Sequence, residues 1–341
     1  MRIGLDAQLS VGTATGIGEY VRGLAAALRQ DGVDVVELAE PRLDPWRFDR
    51  RVLWDQVLLP ERARAARVDV LHCASGTVPL TARVPVVVTV HDFAWIRVQS
   101  HARFYARYYF GAFSIARYRR AAHIAVDSKF SRSELLWVLD GFDPARVHVV
   151  YPGVAEDFCR LDRRGGDGRT ILVVGTVERR KNLGAVIRAL ASIPHARVVA
   201  VGPPTPYRDE CRALAESLGV LDRVDFLGYV ERARVLELYA TCAVVAVPSR
   251  YEGFGYAAAQ ALCSGTPCVV SDRASLPEVA GNDAPVAGVD DEAEWCGALT
   301  RALAGGQDAR AAEARPHAIA RFSWLAAARG MERVYRAALG S

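Results

Sequence analysis

Long apolar segments are missing from this sequence. Its longest apolar runs, such as ILVVG and VPVVVTV, fall far short of the ~20 residues that a membrane-spanning helix needs. The N-terminal MRIGLDAQL has neither the apolar stretch nor the small-residue cleavage site of a signal peptide. We therefore expect a cytoplasmic protein whose apolar runs form buried strands.

Paired cysteines are missing as well. No C-x-x-C pair occurs, and no His/Cys spacing suits zinc, so reduced thiols are the simplest expectation. The seven cysteines are scattered along the chain, as Cys73, Cys159, Cys211, Cys242, Cys263, Cys268 and Cys296.

Lysine is scarce, and the excess of positive charge is small. Lys129 and Lys181 are the only lysines among 43 basic residues, and the net charge is +4. The whole surplus lies in residues 1–150, which hold 20 basic and 16 acidic residues. This is too little for a nucleic-acid binder, so we expect no nucleic-acid partner, although the surplus suits an anionic substrate or a membrane surface. The scarcity of lysine also makes Lys129 and Lys181 candidates for a functional role.

The sequence does contain a repeated strand–helix pattern. Its 341 residues exceed the usual size of a single core and favour two domains. Short β-branched runs alternate with amphipathic segments in both halves, which predicts parallel sheets covered on both faces. The polar, Gly-rich segment 160–170 is the expected linker between domains over 1–160 and 170–316. The last segment, about 318–341, has apolar residues at helical spacing and predicts one terminal helix.

Polar clusters follow several predicted strands, at the edge where parallel sheets bind ligands. Gly12, Gly16 and Gly18 precede a helix, and they either expose backbone N–H groups to a ligand or form a flexible turn. Their spacing is not G-x-G-x-x-G, which argues against an NAD enzyme. His91 and Asp92 end a very apolar strand. A histidine there either binds a sugar hydroxyl or moves a proton, or caps the strand structurally.

Two clusters in the second half carry charge. Arg180 and Lys181 follow a strand and precede a helix, so they suit a diphosphate, the alternative being a solvated basic turn. Glu252 follows the strand AVVAVPS, and its carboxylate can accept hydrogen bonds from sugar hydroxyls. Gly253 and Gly255 would let backbone amides approach a phosphate closely.

Two further features leave alternatives open. Gln260, on the helix predicted after Glu252, either points back to the same ligand or lies on the surface. Segment 100–123 interleaves arginine with tyrosine and phenylalanine. It is either a basic amphipathic face that touches a membrane or a lipid-linked acceptor, or a helix that is partly core and partly solvated.

Eleven motifs occur along the chain in the following order: TGIGEY, WDQVLLP, DVLHCASGTVPL, TVHD, VDSKFSRSEL, VVYPGV, VGTVERRKNL, VDFLGYV, VPSRYEGFG, GTPCVVSDRASLPEVAG and RFSW…VYRAAL. Together they resemble the family-four retaining glycosyltransferases, in the branch with bacterial mannosyl- and related polysaccharide glycosyltransferases. The resemblance covers nearly the whole chain and implies the α/β GT-B fold. In that fold two doubly wound, Rossmann-like domains face each other across a deep cleft. The first binds the acceptor, the second binds the nucleotide-sugar donor, and the last helix crosses back to the first.

The resemblance also implies roles for single residues. Arg180 and Lys181 are expected to hold the donor diphosphate, His91 to contact the transferred sugar or the acceptor, and Glu252 to bind sugar hydroxyls. These four are the expected catalytic residues. The expected donor-binding positions are Gly16, Gly175, Tyr229, Val230, Phe254, Gly255 and Gln260.

Two positions depart from the family's pattern. Thr176 stands where an arginine is usual, and we expect Arg180 to supply that charge. Gln260 stands where the E-x7-E signature has its second glutamate. Because glutamine still offers hydrogen-bonding groups, we expect nucleotide binding to lose about 1–2 kcal/mol and the bond-breaking centre to stay intact.

The chemistry implied by the resemblance needs no bound metal and no cofactor. No D-x-D triplet occurs, so the cations and helix N-termini are expected to stabilise the leaving diphosphate. The resemblance implies a front-face displacement with retention, in which the leaving phosphate helps deprotonate the acceptor and the domains close over the donor. Mannose from GDP-mannose is the first choice of sugar, with glucose from UDP-glucose and similar donors next. The acceptor is a hydroxyl of an oligosaccharide, a lipid-linked glycan or a small glycoside.

Two other functions compete with this one. The first is a non-catalytic, nucleotide-sugar-binding partner subunit whose donor site is impaired by Gln260. The presence of Lys181, Glu252 and His91 argues against it, because a decaying site tends to lose its charged residues. The second is a nucleotide-sugar epimerase, which would consume donor without any acceptor.

Overall fold

The chain folds into two compact units. The structure is a computed structural model that describes residues 1–12, 16–44, 47–97, 108–305 and 307–340. The first unit comprises Met1–Gly153 and Ser323–Ser341, and the second comprises Val154–Phe322.

A parallel six-stranded sheet forms the centre of the first unit. Its order is β2-β1-β3-β4-β5-β6, and each neighbouring pair is parallel. The central strands are continuous apolar runs because both faces of the sheet are covered. The strands are β1 (Arg2–Asp6), β2 (Asp34–Leu38), β3 (Val70–Cys73), β4 (Val86–Val90), β5 (His123–Val126) and β6 (Val147–Val149).

Helices cover both faces of this sheet. Val87 of β4 packs in the same core as Leu24 and Met331, whereas its neighbour Val88 packs in the opposite core with Leu135. This alternation follows from the two-residue period of a strand. The helices before the second unit are α1 (Gly16–Gln30), α2 (Phe48–Leu53), α3 (Leu59–Ala65), α4 (Ala94–Arg97), α5 (Ser114–Tyr118) and α6 (Lys129–Val138).

The second unit has the same architecture. Its sheet order is β12-β11-β10-β7-β8-β9, again with parallel neighbours. The strands are β7 (Thr170–Val174), β8 (Arg197–Val201), β9 (Val224–Gly228), β10 (Val244–Val247), β11 (Cys268–Ser271) and β12 (Val286–Ala287). The helices are α7 (Glu156–Cys159), α8 (Leu183–Ala191), α9 (Tyr207–Ser217), α10 (Arg232–Thr241), α11 (Tyr256–Ser264), α12 (Leu276–Ala280), α13 (Glu292–Leu303) and α14 (Asp308–Arg321). Two parallel six-stranded sheets confirm the predicted α/β class.

The Gly-rich segment 160–170, expected as the linker, lies inside the second unit. Its backbone is bonded to the end of α10, because Arg164 N donates to Ala240 O at 3.1 Å and Asp167 N donates to Thr241 O at 3.1 Å. The chain instead passes between the units at Gly153–Val154 and again at Phe322–Ser323. A polar, Gly-rich composition is compatible with a bonded surface loop as well as with a linker.

The final helix, α15 (Trp324–Ala338), belongs to the first unit. It begins later than the expected residue 318 because Phe322 ends α14 and Ser323 caps α15, its Oγ accepting from Ala326 N at 3.1 Å. The Trp324 indole lies against two glycines. A Cβ on Gly23 would come within 2.2 Å of the indole, and one on Gly153 within 2.3 Å. In the described ranges, no helix is long and apolar enough to span a bilayer.

Candidate functional site

The loop between β10 and α11 carries Glu252. Its geometry depends on Gly255, which has φ +94° and lies just before the first residue of α11. A Cβ there would meet a Leu276 methyl group at 2.7 Å, so only glycine fits the turn. Ser275 holds the loop from the other side, since its buried hydroxyl donates to Glu252 O at 2.9 Å.

The Glu252 carboxylate lies at the centre of a charged cluster. Lys181 Nζ donates to its Oε1 at 2.5 Å, and Ser249 Oγ donates to the same oxygen at 2.7 Å. Arg180 donates from Nη1 to the other oxygen, Oε2, at 3.1 Å. Glu252 is only 7% exposed, so these contacts replace the water that the carboxylate has lost.

The two cations reach Glu252 from the turn after β7. This turn starts at Gly175, which has φ +135°. A Cβ there would come within 3.4 Å of Lys181 Cε, so the glycine leaves room for the lysine side chain. The turn ends at Asn182, which has φ 54° and whose buried amide donates to Val289 O at 3.1 Å. α8 then starts at Leu183.

Charge is balanced within this cluster. Besides Glu252, Arg180 pairs with Glu178, whose Oε1 accepts from Nη2 at 2.7 Å. Two cations therefore face two carboxylates. Burial acts to raise the pKa of Glu252, but the nearby charges of Lys181 and Arg180 outweigh it and hold that pKa below the usual range. Glu252 is thus an anion at neutral pH and a hydrogen-bond acceptor only.

Two other expected donor positions lie near this loop. Phe254 is buried, with its ring 5.5 Å from that of Phe322. Gln260 is partly buried on α11, and its Oε1 accepts from the Tyr239 hydroxyl at 3.3 Å. The Gln260 side chain is therefore held by a buried tyrosine in its own unit.

Tyr229 and Val230 directly follow β9. The Tyr229 side chain is 79% exposed, and Val230 is partly exposed. Their expected contact with a nucleobase stays a prediction.

In the first unit, His91 follows β4 directly. Its Nδ1 lies 2.7 Å from Asp127 Oδ2, and its Nε2 lies 3.0 Å from Ala74 O. The Tyr20 ring meets the imidazole edge-on, with the ring centroids 4.9 Å apart. Burial acts to lower the pKa of His91, but the Asp127 carboxylate outweighs it and raises that pKa above the usual value.

The glycine cluster and segment 100–123 differ from expectation. Gly16 is the first residue of α1 and Gly18 lies in its first turn, so of the three glycines only Gly12 precedes the helix. Residues 13–15 and 98–107 lie outside the described ranges. The described part of segment 100–123 contains α5 and ends in β5, so it is not one helix. Membrane contact through it stays a prediction.

Sequence reasoning missed three side chains that hold these groups: Ser249, Ser275 and Asp127. All three lie inside motifs that carry the resemblance, in VPSRYEGFG, GTPCVVSDRASLPEVAG and VDSKFSRSEL. Their roles depend on contacts across the fold and not on local pattern. Within the described ranges, no three His, Cys, Asp or Glu side chains cluster so as to hold a metal ion.

Known proteins match this chain over most of its length. The sequence pattern of the family described as "Glycosyltransferase Family 4" matches residues 14–158, and that of "Glycosyl transferases group 1" matches residues 162–313. The chain belongs to the family-four glycosyltransferases. These matches cover the loops that carry His91, Arg180, Lys181 and Glu252.

Curated relatives include the D-inositol 3-phosphate glycosyltransferases of two mycobacteria. The Mycobacterium marinum protein is 32% identical over 216 residues, which are 58% of this chain and 46% of the relative. That of Mycobacterium bovis is 32% identical over 220 residues, or 59% and 46%. The match thus spans about half the length of these relatives.

Solved structures of other proteins share the GT-B fold of this glycosyltransferase. Sucrose-phosphate synthase from Thermosynechococcus elongatus is 23% identical, with a TM-score of 0.74 over 100% of this chain and 99% of that one. The Anabaena protein HepE, in complex with UDP-glucose, is 18% identical, with a TM-score of 0.73 over 98% and 99%. At such identities the likeness concerns the fold.

Proposed function

We propose that this protein transfers a hexose from a nucleoside-diphosphate sugar to a hydroxyl acceptor, with retention and without a metal ion. The observation that carries the proposal is the contact of the partly buried Lys181 and Arg180 with the buried carboxylate of Glu252, in the segments that follow β7 and β10. This contact places two cations that can bind a diphosphate beside a carboxylate that can bind sugar hydroxyls.

Each group in this cluster suits one part of such a donor. The Lys181 ammonium group is a compact charge, and the Arg180 guanidinium group is planar with several N–H donors, so both bind phosphate oxygens well. Glu252 accepts hydrogen bonds only, as sugar hydroxyls require. Lys181 and Arg180 donate hydrogen bonds to Glu252, and on donor binding we expect the cations to bond the phosphate oxygens and the carboxylate to bond the sugar hydroxyls. Glu252 is buried and the two cations are partly buried, so water screens their charges less than it would at the surface.

The proposed reaction exchanges one bond to the anomeric carbon for another. The bond from that carbon to the diphosphate oxygen breaks, and the bond to the acceptor oxygen forms on the same face. The acceptor proton passes to an oxygen of the leaving diphosphate. Lys181 and Arg180 stabilise the negative charge that develops there. Mannose remains our first choice of sugar and glucose the second. The relatives that act on D-inositol 3-phosphate favour a small hydroxylated acceptor as the first to try.

Calorimetric titration in chelator with UDP, GDP, ADP and dTDP tests the donor side. We expect one nucleotide to bind clearly best. Incubation of the matching nucleotide sugars with D-inositol 3-phosphate, lipid-linked glycans and simple glycosides then tests transfer, and NMR of the product gives the anomeric configuration. An inverted product would contradict retention, and a strict need for added metal would contradict the metal-free mechanism.

The Glu252→Ala variant separates this proposal from its alternatives. A transferase loses turnover with this change. If the protein is a non-catalytic subunit, the variant should leave the activity of its partner intact. If it is an epimerase, the wild-type protein should convert the donor in the absence of any acceptor.

A further inference from the structure

His91 Nε2 faces a carbonyl oxygen, which can only accept a hydrogen bond, and Nδ1 faces a carboxyl group, which can only accept when it is ionised. Nδ1 lies 2.7 Å from the carboxylate oxygen Oδ2 of Asp127, and Nε2 lies 3.0 Å from the carbonyl oxygen of Ala74. A carbonyl oxygen carries no proton, so the bond to Ala74 requires a proton on Nε2. The bond to Asp127 contains a second proton. A neutral imidazole beside an ionised Asp127 would leave one short contact between two acceptors.

We infer that Asp127 and the Ala74 carbonyl hold His91 with a proton on each ring nitrogen, so that His91 cannot take the proton of the acceptor hydroxyl. Asp127 is then a positioning residue that acts through His91. The inference rests on the proposed function in one respect only, because that function supplies the acceptor hydroxyl whose proton His91 does not take.

The surroundings of His91 support this protonation. Asp127 is 3% exposed, and this burial raises its pKa, whereas the charge of His91 acts to lower it, so the ionised carboxylate depends on the imidazolium as its counter-charge. Asp92, the next residue, adds a second negative charge. His72, on the neighbouring strand, does not compete for the carboxylate, because burial lowers its pKa to about 3 and keeps it neutral. Tyr20 stays protonated, because burial raises its pKa above the usual value.

A second set of contacts fixes the orientation of the ring. The Tyr335 hydroxyl, on the terminal helix, lies 2.8 Å from His72 Nδ1, and His72 Nε2 lies 2.8 Å from Thr89 Oγ1. Thr89 Oγ1 in turn lies 3.3 Å from the Tyr20 hydroxyl, and the Tyr20 ring packs edge-on against His91. These buried residues restrict rotation of the imidazole away from its two acceptors.

The mechanistic consequence concerns the acceptor proton. A histidine that holds both of its protons has no free lone pair for a hydroxyl proton. The proton then goes to the leaving diphosphate, as the proposed reaction requires. His91 contributes positive charge and shape at the end of β4 instead of base catalysis.

NMR of the ligand-free protein with ¹⁵N-labelled histidine tests the inference. A His91→Gln variant assigns the signals, since the chain has seven histidines. We expect both His91 nitrogens to be protonated at about pH 8, well above the usual histidine pKa of about 6.5. A nitrogen without a proton at about pH 7, where an unperturbed histidine is mostly neutral, would overturn the inference.

Two asparagine variants test whether Asp127 is responsible. In Asp127→Asn we expect His91 to lose one proton by about pH 8, because its counter-charge is gone. The matched control, Asp92→Asn, keeps both protons at that pH. Retention of both protons in Asp127→Asn would overturn the role of Asp127. If Asp127→Asn does not fold, the wild-type titration still decides the protonation. Because no ligand is present, failure here is distinct from failure of the donor titration.

Discussion

Lys181 Nζ lies 2.5 Å from Glu252 Oε1, although 71 residues separate the two along the chain. This contact joins the turn after β7 to the loop after β10, two strands that are neighbours in the sheet. Lys181 is one of two lysines in the chain. The pair is therefore the first place to test the proposed donor site.

Replacing Lys181 with alanine should weaken nucleotide binding. A hydrogen bond to a charged group contributes about 1.5–3 kcal/mol, so we expect the dissociation constant to rise about 10- to 100-fold. Calorimetry with the best-bound nucleotide measures this. Lys129→Ala is the matched control, because it removes the other lysine at an exposed position on α6 and should leave affinity unchanged. Equal losses in both variants would contradict a specific role for Lys181.

The Glu252 carboxylate should make stability depend on pH in the acid range. Its pKa is lower in the folded protein than its ordinary value of 4.5, so the folded state binds this proton less tightly than the unfolded state does. The stability that it adds is complete above about pH 5 and is lost as the pH falls through the folded-state pKa. Thermal denaturation at several pH values measures this. The midpoint of Glu252→Gln should decrease less on acidification than that of the wild type, and parallel curves would contradict the prediction.

Gln260→Glu should strengthen nucleotide binding if this position contacts the donor ribose. A carboxylate accepts stronger hydrogen bonds from a diol than an amide does, and the gain should be about 1–2 kcal/mol, or about 5- to 30-fold. The Tyr239 hydroxyl can donate to either side chain. Calorimetry checks the gain, with Gln30→Glu at the exposed end of α1 as the control. An unchanged affinity would show that the expected ribose contact is absent.

The packing of the Trp324 indole should require glycine at position 23. Alanine at Gly23 would place a Cβ 2.2 Å from the indole, so we expect about 1–3 kcal/mol of destabilisation. Once Trp324 is replaced with alanine, Gly23→Ala should become neutral or stabilise by up to ~1 kcal/mol, because alanine favours the helix. Denaturant unfolding of both single variants and the double variant measures this coupling. Additive effects would mean that the two residues do not interact.

The sequence alone determined the class of fold, because continuous apolar strands that alternate with amphipathic segments have few other solutions. It also placed His91, Arg180, Lys181 and Glu252 at the ends of strands, where the structure has them. Local pattern and motif order are sufficient for both results. Local pattern and motif order could not locate the boundary between the units. A Gly-rich segment has the same composition whether its backbone is hydrogen-bonded to a helix or forms a free linker.

The contacts of the site were decided only by the tertiary structure. Ser275 supports the Glu252 loop, and Asp127 meets His91 across 36 residues of chain. Such partners share no local pattern with the groups that they hold. The parallel sheet brings them together, because its crossovers return the carboxyl ends of distant strands to one edge. There, burial makes each polar side chain depend on a partner, and the identity of that partner sets its charge and its role.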